Sequence, residues 1–146
     1  MSTSESGYSA PDLSLRGEEH VRVYRETGGE SGYLWNGVPT LLLTVTGRTS
    51  GRGLTSALIF ARDGDDLLVV ASKGGAPQAP QWYLNLTANP QVHVQVKAIR
   101  TTAIARTATA EEKPRLWKIL TDVWPNYDVY QSRTDRVIPV VVLTPG

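Results

Sequence analysis

The chain has 146 residues and a mass of 15.9 kDa, the size of one domain with a sizeable core rather than of two. Hydrophobic residues make up 40% and charged residues 20%, with 13 Gly and 9 Pro, which excludes collagen, coiled coil and a disordered acidic chain. The net charge is +1 and cysteine is absent, so a disulfide framework, a thiolate zinc site and a cysteine nucleophile are excluded.

Residues 1–11 are Ser-rich and read as a disordered tail, with no secretory signal pattern, so a cytoplasmic protein is expected. A single domain then covers 12–146. Over 12–26, Leu13, Leu15, Val21, Val23 and Tyr24 among many charges predict an amphipathic helix, closed by Gly28, Gly29 and Gly32. Residues 40–46 predict a strand buried on both faces. The polar loop 47–53 follows, then strands over 54–61 and 67–71, joined by a turn whose Asp63-Gly64 pair suits a tight hairpin. A Gly/Pro loop leads to a short helix over 81–88, which stops at Asn89-Pro90 because the residue before proline avoids helical geometry.

Val92, Val94 and Val96 alternate with His93, Gln95 and Lys97, which predicts an antiparallel strand with one wet face, and 101–108 pairs with it. Thr109 and Glu112 have capping-box spacing for a helix over 110–123 that Trp124-Pro125 ends. Residues 126–134 fit one short helix, and 137–143 a last strand that Pro139 consigns to an edge or bulge. Neither long apolar run, 40–46 nor 137–143, approaches the roughly 20 residues of a membrane span. Five or six mostly antiparallel strands with flanking helices make an α+β fold, read as a small barrel.

Charge is uneven along the chain. Residues 1–36 carry three Arg against six Asp and Glu, whereas 37–146 carry 12 Lys and Arg against eight acids. The basic middle has no Lys/Arg-dense helix or aromatic-interleaved strand, so a small anionic ligand is expected rather than nucleic acid. Gly47-Arg48-Thr49-Ser50-Gly51-Arg52-Gly53 sets hydroxyls and guanidiniums on a backbone that can turn back and approach a ligand. It is neither a Walker loop nor a dinucleotide fingerprint, and taken alone it fits a flexible loop with exposed arginines better. Ser72-Lys73-Gly74-Gly75 repeats the pattern after a strand. If both loops share one rim, Arg48, Arg52 and Lys73 form one anion-binding edge beside Trp82 and Tyr83, for which core packing is the alternative. Trp124, Tyr127 and Tyr130 either line a pocket, where a Tyr hydroxyl can donate a hydrogen bond or proton, or form an inert lid. The two histidines lack metal-ligand spacing, and no Ser/His/Asp order or carboxylate pair supports hydrolysis.

Several separated motifs then converge. Val38-Pro39-Thr40-Leu41-Leu42-Leu43-Thr44-Val45-Thr46-Gly47-Arg48-Thr49-Ser50-Gly51-Arg52 is followed by Ala61-Arg62-Asp63-Gly64, Val70-Ala71-Ser72-Lys73-Gly74-Gly75, Trp82-Tyr83-Leu84-Asn85-Leu86 and Ala88-Asn89-Pro90. After these come Tyr127 through Gln131, Arg133-Thr134-Asp135-Arg136 and Ile138-Pro139-Val140-Val141. In order and register over 38–143, these resemble the deazaflavin-dependent nitroreductase family, actinobacterial enzymes using coenzyme F420. The resemblance implies a split β-barrel of the FMN-binding type and a reduced deazaflavin that delivers hydride from its C5 to a quinone, nitroaromatic or enone. It implies coenzyme contacts from Arg48, Thr49, Ser50, Arg52 and Lys73 toward phosphate and an oligoglutamate tail. Thr55, Ser56, Ala57, Leu58 and Ile59 would run beside the ring, with Leu54 before them also at the coenzyme, and Val70, Ala71, Ser72, Gln81, Trp82, Tyr83, Leu84 and Asn85 would complete the pocket. Tyr127, Ser72 and Tyr130 are implied at the substrate, Tyr127 as the hydrogen-bond or proton donor.

Thr49 and Leu54 stand where close members often carry Lys and Arg, so two tail-facing charges are missing, and Trp124 replaces a Tyr common near the substrate. An FMN-binding split-barrel reductase and a non-catalytic deazaflavin carrier are the alternatives. By analogy with small split barrels a homodimer is expected, and lipid-borne quinones leave room for weak membrane association.

Overall fold

The computed structural model describes residues 7–146; positions 1–6 of the expected tail lie outside the described residues. The Ser14 N–H closes onto Asp12 Oδ1 at 2.9 Å and Arg16 is extended, so α1 (Gly17–Thr27) begins later than the apolar spacing suggests. Gly28, left-handed at φ 60°, ends it. The short strand β1 (Leu34–Trp35), absent from the pattern reading, forms a hairpin with β2 (Val38–Thr46). Its turn residues Asn36 and Gly37, at φ 50° and 79°, adopt the geometry that two-residue hairpins require. The expected 54–61 strand is two, β3 (Gly53–Ile59) and β4 (Ala61–Asp63), because Phe60 turns into the core and its N–H donates to the Pro39 carbonyl at 3.2 Å.

There follow β5 (Asp66–Val70), α2 (Gln81–Ala88), β6 (Gln91–Val96), β7 (Ile99–Thr107), α3 (Lys113–Val123), α4 (Asn126–Ser132) and β8 (Val140–Pro145). Thr109 and Glu112 make the reciprocal bonds expected of them, at 2.8 and 3.3 Å, yet α3 starts only at Lys113. Pro114 therefore falls in the first turn, where it removes no helical bond. Pro139 precedes β8 rather than interrupting it, and β8 is a central strand between β7 and β5, not an edge.

The strands pair antiparallel in the order β1-β2-β6-β7-β8-β5-β4, with β3 on the other side of β2. This curled half-barrel with four helices is the split β-barrel expected. Alternation assigns the two faces. Leu41, Leu43, Val45, Val69, Val92, Val94 and Val141 fill the interior. Leu68, Val70, Val140 and Val142 point outward, where Leu116, Leu120 and Ile138 cover them. Strands buried on both faces read as continuous apolar runs, which is why β5 and β8 lack the wet alternation of β6. Each fully buried side chain of this kind contributes about 1.5–3 kcal/mol. Before α1, the Ser9 N–H donates to Asn126 Oδ1 at 3.0 Å and Asn126 Nδ2 donates back to the Ser9 carbonyl at 2.8 Å, tying this segment to the start of α4.

Candidate functional site

Strand β3 pairs with β2 alone among the described residues, and its positions Thr55 to Ile59 are all half-buried although β2 beside it is mostly buried. Between this strand and the end of β5 opens a groove of about 340 Å³. Ala57, Leu58 and Ile59 form one side, and Val70, Ser72 and Lys73 the other. Trp82 of α2, Trp124, and Tyr127 and Tyr130 of α4 enclose it with Trp35 of the β1 hairpin. The Trp35 and Trp124 rings lie 5.6 Å apart, and Trp35 Nε1–H donates to the Leu15 carbonyl at 2.6 Å. Concavities of about 500 and 550 Å³ occur elsewhere, but this groove carries the chemistry-bearing groups.

Two of those groups are hydroxyls. Ser72 and Tyr127 are 8% and 4% exposed, and among the described residues neither hydroxyl has a hydrogen-bond partner, although no buried side-chain polar atom is left without one. Both hydroxyls are therefore reachable from the groove they line. Burial pushes the Tyr127 phenol well above its ordinary range, so it holds its proton. Tyr130 differs: its hydroxyl accepts from Trp124 Nε1 at 3.3 Å.

The loop bearing Ser72 and Lys73 is fixed from behind. Arg136 donates to the carbonyls of Ala71, Ser72 and Ala76 at 3.3, 2.8 and 2.8 Å, and Arg133 Nη1 donates to the Gly74 carbonyl at 3.1 Å. Gly75, at φ 84°, passes so close to α4 that a Cβ there would stand 2.5 Å from the Tyr130 carbonyl oxygen. No side chain fits.

The expected residues fall into three groups. Ala57, Leu58, Ile59, Val70, Ser72, Lys73, Trp82, Tyr127 and Tyr130 line the one groove. Arg48, Gln81 and Asn85 form a separate polar knot: Arg48 donates to Asn85 Oδ1 from its backbone at 3.0 Å and its Nη1 at 2.7 Å, and from Nη2 to Gln81 Oε1 at 2.9 Å. Thr49, Ser50, Arg52, Leu54, Thr55, Ser56, Ala71, Tyr83 and Leu84 lie outside the groove lining. Of these, Thr55 accepts from Arg25 and bonds Thr44, Ser50 Oγ accepts the Arg52 N–H, and the Tyr83 hydroxyl bonds Thr107. Arg48 thus reaches α2, through Gln81 and Asn85, while Ser72 and Lys73 line the groove itself.

Sequence reasoning passed over His20, Trp35 and Thr40, which also line the groove, and the bracing by Arg136. His20 Nε2 donates to the Gly32 carbonyl at 2.8 Å, which fixes its ring against the mouth. The Asn36-Gly37 pair was the available signal for Trp35. Among the described residues no cluster of His, Cys, Asp or Glu has metal-site geometry, and no helix is long and apolar enough to cross a membrane.

A split half-barrel whose aromatic groove offers hydroxyls and an ammonium suits chemistry supplied by a bound organic cofactor. The sequence profile of the F420H(2)-dependent quinone reductase family matches residues 16–145. An F420H(2)-dependent quinone reductase of Mycobacterium tuberculosis (strain ATCC 25618 / H37Rv) is 46% identical over 129 residues, 86% of this chain and 87% of the relative. A solved F420-H2 dependent reductase, FDR-A, superposes with TM-score 0.68 at 39% identity, over 72% of this chain and 93% of that one. Another structure, described as a domain-swapped dimer, gives TM-score 0.71 at 35% identity, over 86% and 94%. The chain belongs to the F420H(2)-dependent quinone reductase family, as its motifs implied.

Proposed function

We propose that the groove between β3 and β5 is the site at which this F420-dependent oxidoreductase reduces a quinone. The observation that carries this reading is the pair of unpartnered hydroxyls, Ser72 and Tyr127, in one aromatic-walled groove with Lys73 beside a half-buried strand. When bound, the reduced deazaflavin supplies a hydride from its C5. The residues present fit such a group. Ala57, Leu58 and Ile59 offer a strand for a flat ring to lie against, Trp82 an apolar neighbour, and Lys73 with the Arg48 end of α2 a positive field for phosphate.

The protein's own task is to orient and to stabilise charge. Tyr127 Oη–H donates a hydrogen bond to the quinone oxygen on which negative charge collects, and its raised pKa makes it a donor that keeps its proton rather than gives it up. Ser72 supplies a second hydroxyl at the same wall, while Trp35, Trp124 and Tyr130 exclude water and hold the acceptor's ring. The proposal extends to a single domain over 12–146, a cytoplasmic location supported by the cysteine-free composition, and a dimer supported by the relative described as one.

The test mixes purified protein with reduced F420, and separately with FMN, and follows deazaflavin fluorescence with and without menadione. Menadione-dependent oxidation of the deazaflavin is expected. Binding without oxidation would leave a carrier, and preference for FMN would move the protein to the flavin reductases.

A further inference from the structure

The sheet's outer face away from α3 and α4 carries a second organised surface. Thr55, Thr44, His93 and Thr102 stand opposite one another across β3, β2, β6 and β7, and Ala57, Leu42, Gln95 and Arg100 make the next row. Leu42, Thr44, His93, Gln95, Arg100 and Thr102 of these rows line an open concavity of about 500 Å³, together with Arg25 of α1. Arg25 Nη2 donates to Thr55 Oγ1 at 3.0 Å, and that oxygen lies 2.7 Å from Thr44 Oγ1, so this guanidinium is held over the sheet. The Arg100 side chain makes no hydrogen bond or ion pair among the described residues, and among them no Asp or Glu lines the concavity. Two guanidiniums, an imidazole and a row of hydroxyls without a carboxylate suit a ligand rich in charged acceptors.

The surface neighbours the groove of the proposed reaction. Ala57 lines the groove two residues along β3 from Thr55, about 7 Å at the strand rise. Helix α1 spans both, with His20 at the groove and Arg25 at the concavity.

We infer that the Arg25–Arg100 concavity is a second anion site, taking carboxylate or phosphoryl groups. The anion has two sources: the oligoglutamate of a deazaflavin held in the neighbouring groove, which rests on the function proposed above, or a free anion from solution. Either source would give Arg25 and Arg100 the counter-charge that no acidic side chain lining this surface provides.

Calorimetric titration of wild type and the Arg25→Ala/Arg100→Ala double variant separates these cases. The probes are tailed deazaflavin, its tailless chromophore, free tri-γ-glutamate and inorganic pyrophosphate. Wild type is expected to bind tailed coenzyme roughly fivefold more tightly than tailless at low salt, an advantage that the double variant loses and that about 1 M salt abolishes. Equal affinity for the two deazaflavins, with arginine-dependent binding of pyrophosphate or tri-γ-glutamate, assigns the site to a free anion. Binding of every probe that is indifferent to both arginines overturns the site. Failure of both deazaflavins alongside arginine-dependent pyrophosphate binding overturns the proposed function and leaves the anion site standing.

Discussion

The loops 47–53 and 72–76 share a composition of glycine, hydroxyl and cation, yet the fold treats them oppositely. Loop 72–76 is held by three carbonyl bonds from Arg136, by Arg133, and by the contact that only glycine allows at position 75. Loop 47–53 closes on itself through Gly47 N–H to the Arg52 carbonyl at 2.8 Å and Gly51 N–H to the Gly47 carbonyl at 2.9 Å. Its tie to the rest of the molecule is Arg48, while Thr49, Ser50 and Arg52 are exposed. The bracing thus falls on the loop that brings Ser72 to the groove of the proposed reaction, and the loop that the family resemblance assigns to coenzyme contacts is left exposed. Composition alone does not separate a clamp from a tether; what braces the loop from behind does.

Substitutions sharpen or break this contrast. Gly75→Ala forces a Cβ into the α4 backbone at positive φ, and a loss of about 2–4 kcal/mol in chemical denaturation is expected, with quinone reduction lost in parallel. A stable, active Gly75→Ala protein would mean the loop is free to move. Tyr127→Phe keeps the packing and removes the donor at the locked side, so turnover should fall about 100-fold while coenzyme affinity stays near wild type. Equal loss of both would mark a binding or packing residue instead. Because burial raises the phenol's pKa, its ionisation should cause no drop in turnover near the ordinary phenol value of about 10; an inflection there would contradict the buried donor.

Arg136→Ala leaves three carbonyls without their guanidinium and is expected to cost about 2 kcal/mol, with protease sensitivity appearing at 72–76. The smallest effect belongs to the other loop. Arg48→Ala should weaken coenzyme binding about fivefold at low salt, with the difference shrinking as salt is added, and leave the melting temperature nearly unchanged. A fall in melting temperature as large as that of Arg136→Ala would erase the distinction between the loops.

Much of the architecture was legible from local pattern. The alternation of Val92, Val94 and Val96 with polar partners, the Asp63-Gly64 turn and the stop at Asn89-Pro90 all reflect short-range physics, and the elements follow them. Boundaries failed where a local competitor intervened, as at the Asp12 to Ser14 turn that delays α1 and at Pro139, which β8 avoids by starting one residue later. Nine of the expected site residues converge on one groove, because their strands and α4 meet there. What the residues could not disclose was tertiary. Arg136 acts on carbonyls some 60 positions away, and His20 reaches the mouth because α1 crosses the face of β3. The hairpin that delivers Trp35 was within reach, since Asn36-Gly37 is a strong short-range signal, but the neighbouring glycines read as a helix end.

The chain has four tryptophans, and their placement has a practical consequence. Trp35, Trp82 and Trp124 line the groove, and Trp117 lies with its ring 6.2 Å from that of Tyr127. Three of the four tryptophans therefore stand at one place, and the fourth packs behind Tyr127. A molecule that enters the groove is expected to alter the emission of these three, which gives the protein its own optical reporter of occupancy, to be titrated without a label.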